Sequence, residues 1–93
     1  MPPIRTHPGE VLREEFLVPT GMSARKLAEA IGVPPNRISD IVRERRGMTA
    51  DTAIRLGRYF GTDGRFWMNL QQSHDLSKAE AENDYSNVQT RAA

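Results

Sequence analysis

The sequence predicts an all-α fold of five helices in one domain, and three observations predict it. No stretch alternates apolar and polar residues with period two, so there is no strand signal. Apolar residues instead recur three and four apart, in runs bounded by Ser, Thr, Asp, Pro and Gly, the residues that cap and stop helices. One of these runs, Ser23 to Arg46, reads as two short helices joined by a tight turn at Gly32.

Met1 to His7 is expected to be a loose lead-in, with His7 capping helix 1. Pro8 suits a first helical position, where its missing N–H costs nothing, and Glu10, Glu14 and Glu15 complement the dipole of the early turns. Leu12 and Phe16 mark the buried side of this helix, and Pro19 and Gly21 are expected to end it. Ser23 caps helix 2, whose apolar stripe is Ala24, Leu27, Ala28 and Ile31. Gly32 can take the left-handed conformation that stops a helix, and Val33 can plug the corner.

Pro34 and Pro35 open helix 3, with Ile38, Ile41 and Val42 facing inward. Arg45 would also face inward if the helix continued, so the helix is expected to end near Glu44, with Gly47 in the turn. Thr49 caps helix 4, which buries Ala53, Leu56, Gly57 and Phe60 and stops at Gly61. Thr62 or Asp63 begins helix 5, with Phe66, Trp67 and Leu70 as its core stripe. The predicted core is Leu12, Phe16, Leu27, Ile31, Val33, Ile38, Ile41, Leu56, Phe60, Phe66, Trp67 and Leu70. The body spans residues 8–82, and the tail 83–93 is polar and without periodicity.

Ninety-three residues make a single domain with a modest core, for which dimerisation is a natural source of further stability. A weaker second stripe on helix 5, Met68, Leu76 and Ala79, is the candidate dimer surface; the alternative is a weakly apolar solvent face. The absence of cysteine excludes disulfide and thiolate chemistry. No apolar run approaches the ~20 residues of a membrane span, so a soluble, cytoplasmic protein with no membrane partner is expected. His7 and His74 have no partner at metal-ligand spacing, so neither metal nor cofactor is expected, and His74 is assigned to the edge of the helix 5 core. No catalytic constellation or Gly-rich phosphate loop appears, which argues against an enzyme. Phe66 and Trp67 could stack on single-stranded RNA, but their helical spacing with Leu70 assigns them to the core.

The net charge of +1 carries no message, but its distribution does. Between Met22 and Arg46 the cations Arg25, Lys26, Arg37, Arg43, Arg45 and Arg46 outnumber the anions Glu29, Asp40 and Glu44. A helix-turn-helix lays its second helix in the DNA major groove. At about 100° per residue, Asn36, Ser39, Asp40 and Arg43 face away from the core side of helix 3, and Arg37 lies at the boundary. The expected base-reading set is therefore Pro35, Asn36, Arg37, Ser39, Asp40 and Arg43. Asn suits adenine and Arg suits guanine, each through two hydrogen bonds. Asp40 would either accept from a cytosine amino group or pair with Arg43 and hold it still. The expected phosphate set is Ser23, Arg25 and Lys26 at the start of helix 2, with Arg45, Arg46 and Thr49 on the other strand.

Four segments extend the pattern: P-G-E-V-L-R-E-E-F-L (8–17), G-V-P-P-N-R-I-S-D-I-V (32–42), T-A-D-T-A-I-R-L-G-R-Y-F-G (49–61) and F-W-M-N-L-Q (66–71). Together they resemble the HigA-type antitoxins of the Xre/Cro-like helix-turn-helix superfamily. The resemblance covers roughly residues 8 to 76 and departs in the tail 83–93. It implies a five-helix, lambda-repressor-like domain that binds its operator as a homodimer and represses its own operon. It also implies a cognate toxin partner, a RelE-type mRNA endonuclease that the antitoxin neutralises. Because both tails are short and polar, the toxin is expected to dock on the folded body, with the Arg13–Glu15 side of helix 1 and the helix 5 surface as candidates. The alternative is a stand-alone Xre-type repressor without a toxin. A third reading, the toxin enzyme itself, requires an α/β fold for which there is no strand signal.

Overall fold

The computed structural model describes residues 3–91 and, among them, contains helices and no strand. Helix α1 covers residues 8–20 without a break. It begins with α-helical Pro8–Val11, widens into a π-helical turn at Leu12–Leu17 and closes with Val18–Thr20. Helices α2 (Ala24–Ile31), α3 (Pro35–Val42), α4 (Ala50–Phe60) and α5 (Gly64–Glu82) follow.

Most boundaries lie where the capping residues put them. His7 Nδ1 accepts the Gly9 N–H at 2.9 Å, Ser23 Oγ accepts from Lys26 N–H at 3.0 Å, and Asp63 Oδ1 accepts from Phe66 N–H at 2.7 Å. Thr49 caps α4, and left-handed glycines end α1, α2 and α4 at Gly21, Gly32 and Gly61.

Three local expectations are corrected. Pro19 does not end α1; it sits inside the last turn. A proline lacks an N–H and crowds the carbonyl four residues back, and the widened turn just before it relieves both problems. There Val18 N–H reaches the Arg13 carbonyl, five residues away. The second correction is at α3, which ends at Val42, and the residue beyond it with positive φ is Glu44 (62°), not Gly47. The third concerns the lead-in. Its described part is clasped along α5: Arg5 N–H donates to Ser77 Oγ at 2.7 Å, and His74 Nδ1 donates to the Arg5 carbonyl at 2.8 Å. Met1 and Pro2 lie outside the described residues, as do Ala92 and Ala93 of the tail.

The core is centred on Trp67, which is fully buried with its indole N–H on Thr62 Oγ1 at 3.0 Å. Leu12, Leu27, Ala28, Ile38, Ile41 and Leu56 are also fully buried around it, with Ile31 and Val33 nearly so. Phe16, Phe60 and Leu70 only line the core edge, and Phe66 is exposed. One inward position was available to the Phe66–Trp67 pair, and Trp67 takes it; Phe66 stacks edge-on from outside at 5.0 Å. Met48, Leu17, Ala53 and Thr52 complete the interior.

Candidate nucleic-acid interface

Burial of Ala28 lets α2 and α3 cross closely, and their meeting leaves the outer side of α3 open. Pro34 sets the N-cap and Pro35 the first helical position, so the early N–H groups of α3 include none contributed by Pro35. Pro35, Asn36 and Arg43 are exposed; Arg37, Ser39 and Asp40 are half-buried. Ser39 Oγ donates back to the Asn36 carbonyl at 3.3 Å. Arg43 has no ion-pair partner among the described residues.

Asp40 pairs with Arg46 at 3.7 Å and not with Arg43, which corrects the intrahelical alternative. The chain turns at Glu44 and carries Arg46 back along the helix, so the residue six positions away is nearer than the residue three away. Arg37 is held by Asp51 of α4 at 2.9 Å, and Asp51 is shared with Arg55 at 3.1 Å. Arg37 therefore joins α3 to α4, as its boundary position on the helix suggests. Arg37, Arg46, Thr49, Asp51 and Thr52 line a shallow concavity beside α3.

On the other flank, Ser23, Arg25 and Lys26 stand exposed at the start of α2. Ser23 is committed to its cap, and Arg25 is 80% exposed with Glu29 only 3.8 Å away, a pair too solvated to immobilise it. Arg45, Arg46 and Thr49 are exposed at the far end of α3. Arg46 and Thr49 share the concavity beside α3 with Arg37, while Arg25 and Lys26 are exposed on α2.

The dimer candidates differ in exposure. Met68 is half-buried in a shallow apolar hollow with Ala50, Ala53, Ile54 and Gly64; Leu76 is 64% exposed; Ala79 is half-buried. Ile54, 55% exposed beside Met68, was missed by the sequence reading. Its signal was an isoleucine lying off the Ala53–Leu56–Gly57–Phe60 side of its helix. Arg13 was also misplaced. It pairs with Glu14 at 3.0 Å but turns its guanidinium to α3, donating through Nη1 to the Val42 carbonyl.

His7 and His74 meet with ring centroids 4.8 Å apart. Burial, and then the neighbouring His74 charge, hold the His7 imidazole below its usual pKa, against weaker pulls from Glu44 and Asp75. Its Nδ1 is occupied as a cap, and no cluster of three or more potential metal ligands exists among the described residues. No helix among them is long and apolar enough to cross a membrane.

The fold and this surface define a helix-turn-helix protein. A helix-turn-helix family model matches residues 12–67. Virulence-associated protein I of Dichelobacter nodosus is 56% identical over 88% of this chain and 76% of its own length. The chain spans about two thirds of the length of several other curated relatives. Among solved structures, the Pseudomonas aeruginosa antitoxin HigA with the higBA promoter is 46% identical, with a TM-score of 0.79 over 90% of this chain and 98% of that one. Antitoxin GraA in complex with its operator is 42% identical, with a TM-score of 0.92 over 100% of this chain and 97% of that one. The chain belongs to the helix-turn-helix family and, within it, to the HigA-type antitoxins, which are DNA-binding regulators and not enzymes.

Proposed function

We propose that the protein is an antitoxin that represses its own operon by reading DNA with α3 and neutralises a cognate RelE-type mRNA endonuclease. The observation that carries the DNA part is the exposed face of α3. It offers Asn36 and Arg43 to bases, with Pro35, Ser39 and Asp40 beside them, and exposed phosphate candidates lie on both neighbouring segments: Arg25 and Lys26 on α2, and Arg45, Arg46 and Thr49 between α3 and α4. Arg37 acts from its Asp51 pair as a backbone-side contact and α3–α4 tie. Two relatives solved on operator or promoter DNA support the same use of the fold.

One helix-turn-helix covers a half-site, and half-sites lie about 34–36 Å apart, so the working unit is a symmetric homodimer on an inverted repeat. Met68, Leu76 and Ala79, with Ile54 added, are its candidate surface. The toxin docks on the folded body, not on the tail 83–93, and this function places the protein in the cytoplasm.

The test uses a duplex selected in vitro from a random pool by the wild-type chain, against a shuffled duplex of equal length. Arg43→Ala and Asn36→Ala are expected to lose roughly 1–3 kcal/mol on the selected duplex and little on the shuffled one. Arg25→Ala or Lys26→Ala should weaken both alike and flatten the salt slope by about one unit. Normal affinity of Arg43→Ala for the selected duplex would mean that α3 does not read DNA. Co-expression with the adjacent gene tests the toxin part: a growth-arresting neighbour rescued and co-purified by this chain supports it, and a neighbour that does neither leaves the stand-alone repressor.

A further inference from the structure

The end of α3 is held in an unusual way. Beyond Val42 the chain closes a helix-ending turn in which Arg45 N–H donates to the Asp40 carbonyl at 2.8 Å and Glu44 N–H to the Ile41 carbonyl at 2.9 Å. This turn needs a left-handed residue, and the residue is Glu44, which carries a Cβ into a conformation that suits glycine. The exposed cations Arg43, Arg45 and Arg46 hang on the same four-residue stretch. Their directions therefore depend on a turn whose own residues do not favour it.

A residue from α1 supplies the missing hold. The Arg13 guanidinium donates through Nη1 to the Val42 carbonyl, the same nitrogen lies 3.8 Å from Glu44 Oε2, and Nε lies 3.0 Å from Glu14 Oε1. One guanidinium nitrogen thus donates to the last helical carbonyl and stands within ion-pair distance of the strained glutamate, while a second nitrogen, Nε, pairs with Glu14 and orients the plane. One turn earlier, Gly9 lies against the Ile41 carbonyl so closely that a Cβ there would overlap it. The two contacts seat α3 on α1 at the end where the cations sit.

We infer that Arg13 is a positioning residue for DNA recognition: without touching DNA, it sets the turn that aims Arg43, Arg45 and Arg46. The inference rests on the proposal that α3 reads DNA. Arg13→Met keeps the stem and removes the fork. With the selected and shuffled duplexes, and at a temperature where circular dichroism shows the variant fully folded, the ratio of the two affinities should fall about tenfold, the size expected from losing a charged hydrogen bond. Arg13→Lys, which can reach the carbonyl but cannot fork, should fall between, and it serves if the Met variant does not fold. In a Glu44→Gly background, where the turn no longer needs support, Arg13→Met should change the ratio much less. A merely structural Arg13 would lower the melting temperature and leave the ratio unchanged in both backgrounds. An unchanged ratio for Arg13→Met and Arg13→Lys, while Arg43→Ala collapses it, overturns the inference alone. If Arg43→Ala also leaves the ratio intact, the DNA reading of α3 fails and takes the inference with it.

Discussion

The helix-turn-helix contains two turns of the same design built from different residues. At the end of α2, Val33 N–H donates to the Ala28 carbonyl at 3.0 Å and Gly32 N–H to the Glu29 carbonyl at 3.3 Å, with Gly32 at φ 74°. At the end of α3 the same two bonds form around Glu44 at φ 62°. Each turn also takes an arginine from another helix. Arg55 of α4 donates to the Ile31 carbonyl at 2.8 Å and is steadied by Asp51; Arg13 of α1 donates to the Val42 carbonyl and is steadied by Glu14. The difference is the left-handed residue. The glycine turn is locally content, and its arginine is an addition. The glutamate turn opposes its own backbone preference, so its support from α1 becomes a condition. The turn that joins the two helices is autonomous, whereas the turn that ends α3 is tied to the rest of the fold.

The largest effect that can break this comparison is at the α1–α3 contact. Gly9→Ala puts a methyl into the Ile41 carbonyl, a backbone atom that cannot swing aside. A stability loss of about 3 kcal/mol is expected, at the upper end of overpacking costs, and a denaturant titration measures it. A loss below about 0.5 kcal/mol would show that α1 does not press on the end of α3.

The next test sets the two turns directly against each other. At Gly32 a Cβ would meet only the flexible end of Arg55 at 3.3 Å, so the left-handed backbone decides the outcome. Gly32→Ala should cost about 1 kcal/mol, the left-handed penalty less the entropy that alanine removes from the unfolded chain. Glu44→Gly should go the other way and stabilise by about 0.5 kcal/mol, since relief of strain outweighs a partly exposed ion pair. If both substitutions destabilise equally, the two turns are equivalent.

What the sequence disclosed follows the same division. The α2–Gly32–α3 corner was legible because each residue type meets a local need: Ser23 to cap, Ala28 to cross, Gly32 to turn, Ile38 and Ile41 to bury. The end of α3 was legible only in part. Gly47 drew the turn toward itself because glycine is the usual signal, while the structure uses Gly47 for space: a Cβ there would meet the Gln71 side chain at 3.1 Å. Met48 is buried with its N–H on Gln71 Oε1 at 2.6 Å, yet a lone apolar residue in R-R-G-M-T has no period to reveal it. Arg13, Glu44 and Asp40 make contacts that span helices or reverse the chain, and a helical wheel contains no such information. Phe66 was misjudged for a related reason: two adjacent aromatics both look inward until packing admits one.

The smallest expected effect concerns the cap that starts α1, and it distinguishes the two turns by pH. His7 Nδ1 can accept the Gly9 N–H only while the imidazole is neutral there. Burial and the nearby His74 hold its pKa below the ordinary 6.5, with Lys78 adding slightly and Glu44 and Asp75 opposing. A lowered pKa for a base means that the unfolded chain takes up the proton first as pH falls. Stability from this group is therefore complete above 6.5 and is lost progressively as pH drops through 6.5 toward the lower folded value. His7→Asn keeps a capping acceptor and removes the titration, so the melting temperature of the variant should fall less than that of the wild type over that interval. Gly9 and Arg13 lie just beyond the cap and hold the end of α3, whereas the Gly32 turn rests on its own glycine and has no contact with the α1 cap. Amide protection should accordingly decline at Arg45 before Val33 in mild acid, after correction for intrinsic exchange. Parallel decline at both amides, or identical acid sensitivity in His7→Asn, would show that the α1 cap and the end of α3 are not linked.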